Sequence, residues 1–160
     1  MNIIEQIETL TESWDLEVKA AQGANGRGAL PSDFWPTYSA FANSRGGYIV
    51  MGVEETSGGG FRAIGLVDSA QVERDLWSNL GNTNKVNANL LSESSISRDD
   101  VGDGRTVLVI KIPRADRSHR PIFINGNPLT GTYRRLNDGD HKCSATEVQR
   151  MLADASTTQT

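Results

Sequence analysis

The sequence is poor in the residues that build covalent cross-links and soft-metal sites. Cys143 is its one cysteine, so no internal disulfide can form and clusters of thiolate metal ligands are excluded, as suits a reducing compartment. Two histidines, His119 and His141, lie in loop-like sequence, too few for a histidine-rich metal or acid–base centre. Long apolar runs are also missing. The longest, Tyr48 to Val53, is far too short to span a bilayer, so no membrane partner is expected. Met1 to Glu5 lacks the basic-then-apolar pattern of a secretory signal, and a cytoplasmic location is expected. An excess of basic charge is absent too: the net charge of -4 excludes a uniformly basic coat.

What is present is a chain of 160 residues, enough for one core, with 37% hydrophobic and 22% charged residues, as in globular domains. Charge is unevenly spread. Residues 1–104 carry 7 Lys/Arg against 15 Asp/Glu, whereas residues 105–160 carry 9 against 5. A domain of this kind can turn a basic face to phosphates while remaining acidic elsewhere.

Hydrophobic periodicity gives the elements. Ile3, Ile7 and Leu10 form one stripe of a short helix. Trp14 to Lys19 alternates, which predicts a half-buried strand with Trp14, Leu16 and Val18 inward and Asp15, Glu17 and Lys19 on the other face. The stretch 20–31, with Gly23, Gly26 and Gly28, predicts a loop. Ser32 or Asp33 caps a helix whose aromatic stripe, Phe34, Trp35, Tyr38 and Phe41, is core, and which stops at Gly46-Gly47. Tyr48 to Val53 predicts a continuous central strand, and Phe61 to Ile64 pairs back after the Ser57–Gly60 turn. Ser69 caps a helix over 70–80. Leu90 to Ile96 suggests a strand, 99–104 a turn, and Thr106 to Ile112 a strong strand. Pro121–Ile124 and Thr132–Arg135 read as a hairpin. Ser144 with Glu147 is a capping box opening a helix that runs to Ala153, with 154–160 expected to fray from a domain of 1–153. The expected class is α/β (α+β), a mixed sheet sandwiched with helices.

Three constellations carry chemistry. Glu12, Glu17, Glu54 and Glu55 could converge near Lys19 if their strands are neighbours. Such a cluster repels itself unless a cation neutralises it, and oxygen ligands suit Mg or Mn. The alternative is that each acid is solvated or paired with a base. The loop at 23–28 fits no nucleotide-binding motif but could carry Arg27 to a phosphate. Arg114, Arg117, His119 and Arg120, then Arg134, Arg135, His141 and Lys142, form a basic set suited to phosphate backbones, or alternatively a salt-bridged rim. Arg134 and Arg135 point to opposite faces of their strand, so one can meet a ligand while the other meets solvent or an internal acid.

The order of these pieces resembles the Schlafen AlbA_2 (divergent AAA-4) domain: Glu12 with Glu17-Val18-Lys19; the run Trp35 to Gly47 with its Ala-Phe-Ala-Asn-x-x-Gly-Gly core; Gly52-Val53-Glu54-Glu55; Gly65; Pro121; Tyr133-Arg134; and the helix from Ser144. The resemblance implies an AlbA_2-like fold that binds RNA or DNA, often as the N-terminal part of a longer regulatory protein with a C-terminal ATPase or winged-helix region. Nucleic-acid contacts are then expected from Lys19, Arg27, Arg45, Arg114, Arg117, Arg120 and Arg134. Eukaryotic relatives include endoribonucleases that use three acids and a divalent metal. Carried over, the acids are Glu12, Glu17 and either Glu54 or Glu55, holding Mg or Mn beside Lys19. The third acid is Glu where those nucleases usually have Asp. The chain also holds one copy of a unit that they pair, which makes a homodimer an expectation. A regulatory or dimerisation module without nucleic acid is the third reading.

Overall fold

The computed structural model describes residues 2–20, 29–137 and 139–158. Its frame is a four-stranded sheet of order β1-β2-β6-β5, from β1 (Leu16–Lys19), β2 (Gly47–Met51), β5 (Ile96–Gly102) and β6 (Arg105–Ile112). β1 runs parallel to β2, and the other pairs are antiparallel. Because side chains alternate across a strand, β2 and β6 feed two cores. Ile49, Met51, Leu108, Ile110 and Ile112 pack under α2 (Phe34–Ala42) and α3 (Ser69–Leu80), against Phe34, Trp35, Tyr38, Phe41, Val72 and Leu76. Val50 and Val107 face the other way. There they meet Ile3 and Ile7 of α1 (Ile3–Thr11), Val53 of β3 (Val53–Glu55) and Phe61 of β4 (Phe61–Ala63). The expected mixed α/β class is the observed one. No helix of the described residues is long and apolar enough to cross a membrane.

Several local expectations give way to the structure. The run Tyr48–Val53 is not one strand: Gly52, at φ +96°, breaks it, and Val53–Glu55 leaves the main sheet to pair with β4. A side chain at Gly52 would also crowd Gly65 Cα at 3.2 Å, so the turn needs glycine twice over. α3 is capped by Asp68, whose carboxylate accepts from Gln71 N–H, rather than by Ser69. The stretch 90–96 is a loop followed by a 3-10 turn at Glu93–Ser95, and β5 occupies 96–102, where a turn was expected from 99. Positive φ at Asp103 and Gly104 confines that turn to the hairpin tip. Tyr133–Leu136 (β7) pairs with Gly139–Lys142 (β8), leaving a single bridge, Phe123 to Thr132, where the hairpin was expected. The capping box at Ser144 and Glu147 forms with both hydrogen bonds, but its helix, α5 (Ala145–Thr158), runs beyond Ala153. A short helix, α4 (Pro128–Gly131), precedes β7.

Candidate nucleic-acid interface

Glu17 and Lys19 lie opposite Ile49 and Met51 in the β1–β2 register, which puts them on the α2 side of the sheet. The Lys19 side chain is 9% exposed and its ammonium lies 3.4 Å from Asp33, just before α2. Glu17 accepts from Arg135 Nη2 at 2.9 Å, and Arg135 Nη1 donates to Asp140 Oδ1 at 2.7 Å. The other Asp140 oxygen accepts from the Thr37 hydroxyl. Arg135 is 3% exposed and its guanidinium rests 5.0 Å from the centre of the Phe41 ring. Burial works against its charge, but the hydrogen bonds it donates to Asp140 and Glu17 outweigh that, and its pKa stands above the ordinary value. Arg135 is therefore the internal cation of the Arg134–Arg135 pair. It joins β1, α2, β7 and β8; alternation left open that one of the pair would meet an internal acid, but nothing in the sequence singled out Asp140 or Thr37.

The acids do not gather as expected. Glu12 is exposed at the end of α1, and Glu54 is held by Arg62 across the β3–β4 hairpin. Glu55 is exposed. Among the described residues no group of three His, Cys, Asp or Glu is placed to hold a metal ion. Glu17, the member of the set on the sheet face, is neutralised by an arginine instead. Glu12, Glu17, Glu54 and Glu55 therefore do not form the three-carboxylate cluster expected from the sequence. Arg27 lies outside the described residues. Cys143 is buried, and burial pushes its thiol up to about 11, so no thiolate chemistry is available near neutrality.

The arginines fare differently. Arg114, Arg117 and Arg120 come together with Met151 and Asp154 of α5 around one pocket of about 260 Å³. The pKa of Arg120 is lowered, first by burial and then by the charges of Arg114 and Arg117, with Asp154 and Asp116 opposing. Its Nε is buried without an acceptor among the described residues. Arg45 is 82% exposed, at 3.3 Å from Asp15. Next to it, Gly46 has φ +74°, and a side chain there would strike Ile112 O at 2.8 Å and Arg114 N at 3.1 Å. Glycine thus lets the Arg45 turn lie against the start of the arginine segment. Arg134 is ion-paired with Glu147 of α5 at 2.9 Å, so its charge is already engaged.

Trp14, expected inward, is 43% exposed. It sits before the edge strand β1, with Tyr48 edge-on at 5.7 Å and Lys111 Nζ 5.4 Å from its ring centre. Aromatic and basic groups therefore share the end of the sheet that also carries Arg45.

The Ala-Phe-Ala-Asn stretch explains how the arginine segment is fixed. Asn43 Oδ1 accepts from Ile122 N–H at 2.8 Å, and its amide donates to the carbonyls of Ile122 and Tyr133, each at 2.9 Å. Ser39 Oγ donates to Ile122 O at 2.7 Å and accepts from Tyr133 N–H at 3.0 Å, and Ser44 Oγ accepts from Arg135 N–H at 2.8 Å. The end of α2 and the two residues after it thereby anchor the chain after Arg120 and the strand that carries Arg134 and Arg135.

A family model described as Schlafen, AlbA_2 matches residues 12–144, from the end of α1 to the cap of α5. The chain belongs to the Schlafen AlbA_2 family. Among solved structures, this AlbA_2 domain is similar to the N-terminal domain of a protein related to ATP-dependent DNA helicase RecG from Nitrosomonas europaea. The two are 32% identical, with 88% of this chain and 90% of that one covered and a TM-score of 0.58. It also shares its fold with the DIP2311 protein of Corynebacterium diphtheriae, at 18% identity and a TM-score of 0.56. That match covers 93% of this chain but 28% of the other. No curated protein sequence matches it. In this AlbA_2 domain, then, Asn43 and Ser44 of the Asn-x-x-Gly-Gly stretch hold the backbone at Ile122, Tyr133 and Arg135. Met151 and Asp154 of the arginine pocket lie beyond the residues the family model matches.

Proposed function

We propose that this AlbA_2 domain binds RNA or DNA through phosphate groups, with little readout of base sequence. The observation that carries the reading is the meeting of Arg114, Arg117 and Arg120 at one pocket in a chain whose net charge is -4. Like charges approach one another at a cost, and a phosphate offsets it because a planar guanidinium donates to two of its oxygens at once. Arg45 and Lys111 extend the basic surface along the sheet end, and Trp14 adds an aromatic face beside them. The 32% identical neighbour, from a protein related to a DNA helicase, supports a nucleic-acid partner. In this reading the domain works inside a regulatory protein of transcription or defence, delivering it to nucleic acid. Lys19 and Arg134 contribute less than the sequence suggests, since Asp33 and Glu147 already engage them.

The test is equilibrium binding of single- and double-stranded RNA and DNA over a range of salt. Affinity falls steeply with salt if phosphates are the ligands, because bound counterions are released from the polymer. Arg114→Gln and Arg117→Gln, both exposed, weaken every sequence about equally. Binding to none of the four polymers, or binding indifferent to salt, would refute the proposal.

A further inference from the structure

We propose that the pocket between residues 114–120 and α5 receives a terminal phosphate monoester, the end of a nucleic-acid strand, rather than an internal phosphodiester. This deepens, and rests on, the nucleic-acid reading above. The first argument is charge. Three arginines and Asp154 line the pocket, a formal balance of two positive charges. An internal phosphodiester brings one negative charge, whereas a monoester brings about 1.5 to 2 at neutral pH, together with a third exposed oxygen. The monoester matches the lining; the diester leaves it positive.

The second argument is shape. The pocket, at about 260 Å³, is smaller than the roughly 300–1,000 Å³ of sites that enclose whole small molecules. It suits a single group at the end of a chain that continues into solvent. Met151 supplies an apolar wall, so the pocket is a half-open recess backed by α5.

The third argument is preorganisation. Both ends of the arginine segment are tied to α2: Ala115 N–H donates to Ala42 O at 2.9 Å, and Ile122 is held by Asn43 and Ser39. Between them, the Asp116 carbonyl accepts from the N–H groups of His119 and Arg120, at 2.9 and 3.1 Å, folding the segment into a turn. The far wall is fixed by the capping box at Ser144 and by the Arg134–Glu147 pair. The arginines are thus positioned before any ligand arrives. A dianion answers the mutual repulsion of the three guanidiniums.

The experiment uses the whole 160-residue chain and unlabelled oligonucleotides of one sequence, ending in 5′-phosphate, 3′-phosphate or hydroxyl at both ends, with affinities read by calorimetry. A phosphate at either end is expected to tighten binding roughly 10- to 100-fold over the hydroxyl-ended strand, the range of hydrogen bonds to a charged group. Arg117→Gln, at an exposed position, erases that advantage without moving the thermal unfolding midpoint, and Asp154→Asn enlarges it. Inorganic phosphate competes away the advantage alone. Equal affinity for all three strands overturns the proposal but leaves phosphodiester binding standing. A phosphoserine peptide that binds more tightly than the phosphorylated strands overturns it in favour of a protein ligand. Failure of every strand to bind overturns both readings.

Discussion

Asn43→Ala tests the idea that one buried amide holds the arginine segment in place. Asn43 is 7% exposed, so water cannot readily replace its side chain. Its removal orphans the N–H of Ile122 and the carbonyl of Tyr133, while the carbonyl of Ile122 keeps Ser39 Oγ. Each buried group left without a partner costs about 1–3 kcal/mol, so a loss of about 3–4 kcal/mol is expected. For a domain of this size that lowers the melting midpoint by roughly 6–15 °C. Urea unfolding should show the same loss as a lower midpoint with unchanged slope, since the surface exposed on unfolding is the same. Asn43→Asp adds a sign. At neutral pH the introduced carboxylate keeps the bond from Ile122 N–H but confronts two carbonyl oxygens, so the variant is destabilised. Protonation restores a donor in the same shape, and its deficit against the parent shrinks as pH falls. A variant within about 1 kcal/mol of the parent at pH 7, or an Asn43→Asp deficit that grows on acidification, would refute the reasoning.

Arg135→Met keeps the packing on Phe41 but leaves Glu17 and Asp140 without their cation. A loss of about 3 kcal/mol is expected, at the low end for a broken buried pair because both carboxylates keep some solvent, and pairing the change with Glu17→Gln and Asp140→Asn should recover part of it; denaturant midpoints check both. Tyr38 donates to Ala88 O and accepts from Leu90 N–H, each at 2.9 Å, and burial raises its pKa from 10.0 to about 12. A raised pKa stabilises the fold below the unfolded value, and that stabilisation is lost as pH rises from 10.0 to about 12, so alkaline unfolding and a late tyrosinate absorbance should coincide and Tyr38→Phe should remove the lag. The Cys143 thiol, raised from 9.0 to about 11, should react with an alkylating agent at pH 8 only slowly in the folded chain and readily in urea.

Much of the scaffold was legible because one physical rule governed it. The stripe Phe34, Trp35, Tyr38 and Phe41 is core, as its helical spacing requires, and the Ser144–Glu147 box starts α5 through hydrogen bonds its spacing dictates. Reading failed where tertiary partners decide. Val53 continues an apolar run, yet Gly52 turns it onto a different sheet, and apolarity alone does not reveal a positive φ. Trp14 alternates correctly with Leu16 and Val18 but lies beyond the end of the strand, where no layer covers it. β7 chose β8 over the 121–124 segment because Ser39 and Asn43 claim the polar groups of Ile122. The candidate site divides in the same way. Alternation showed that one of Arg134 and Arg135 could turn inward, but not that Arg135 would take Glu17 and so withdraw it from the expected acid cluster. The spacing of Arg114, Arg117 and Arg120 by threes was visible; the wall that α5 lends them was not, since that helix was expected to end before Asp154.

The most direct measurement of the phosphate-binding claim is the slope of log affinity against log salt for one oligonucleotide. It should be compared between the parent chain and a variant with Arg114, Arg117 and Arg120 all changed to Gln, after circular dichroism has shown both to be folded. If these guanidiniums meet phosphates, the variant binds far more weakly and its slope is shallower, by about one for each phosphate no longer neutralised. An unchanged affinity and slope would show that the charges meet solvent alone.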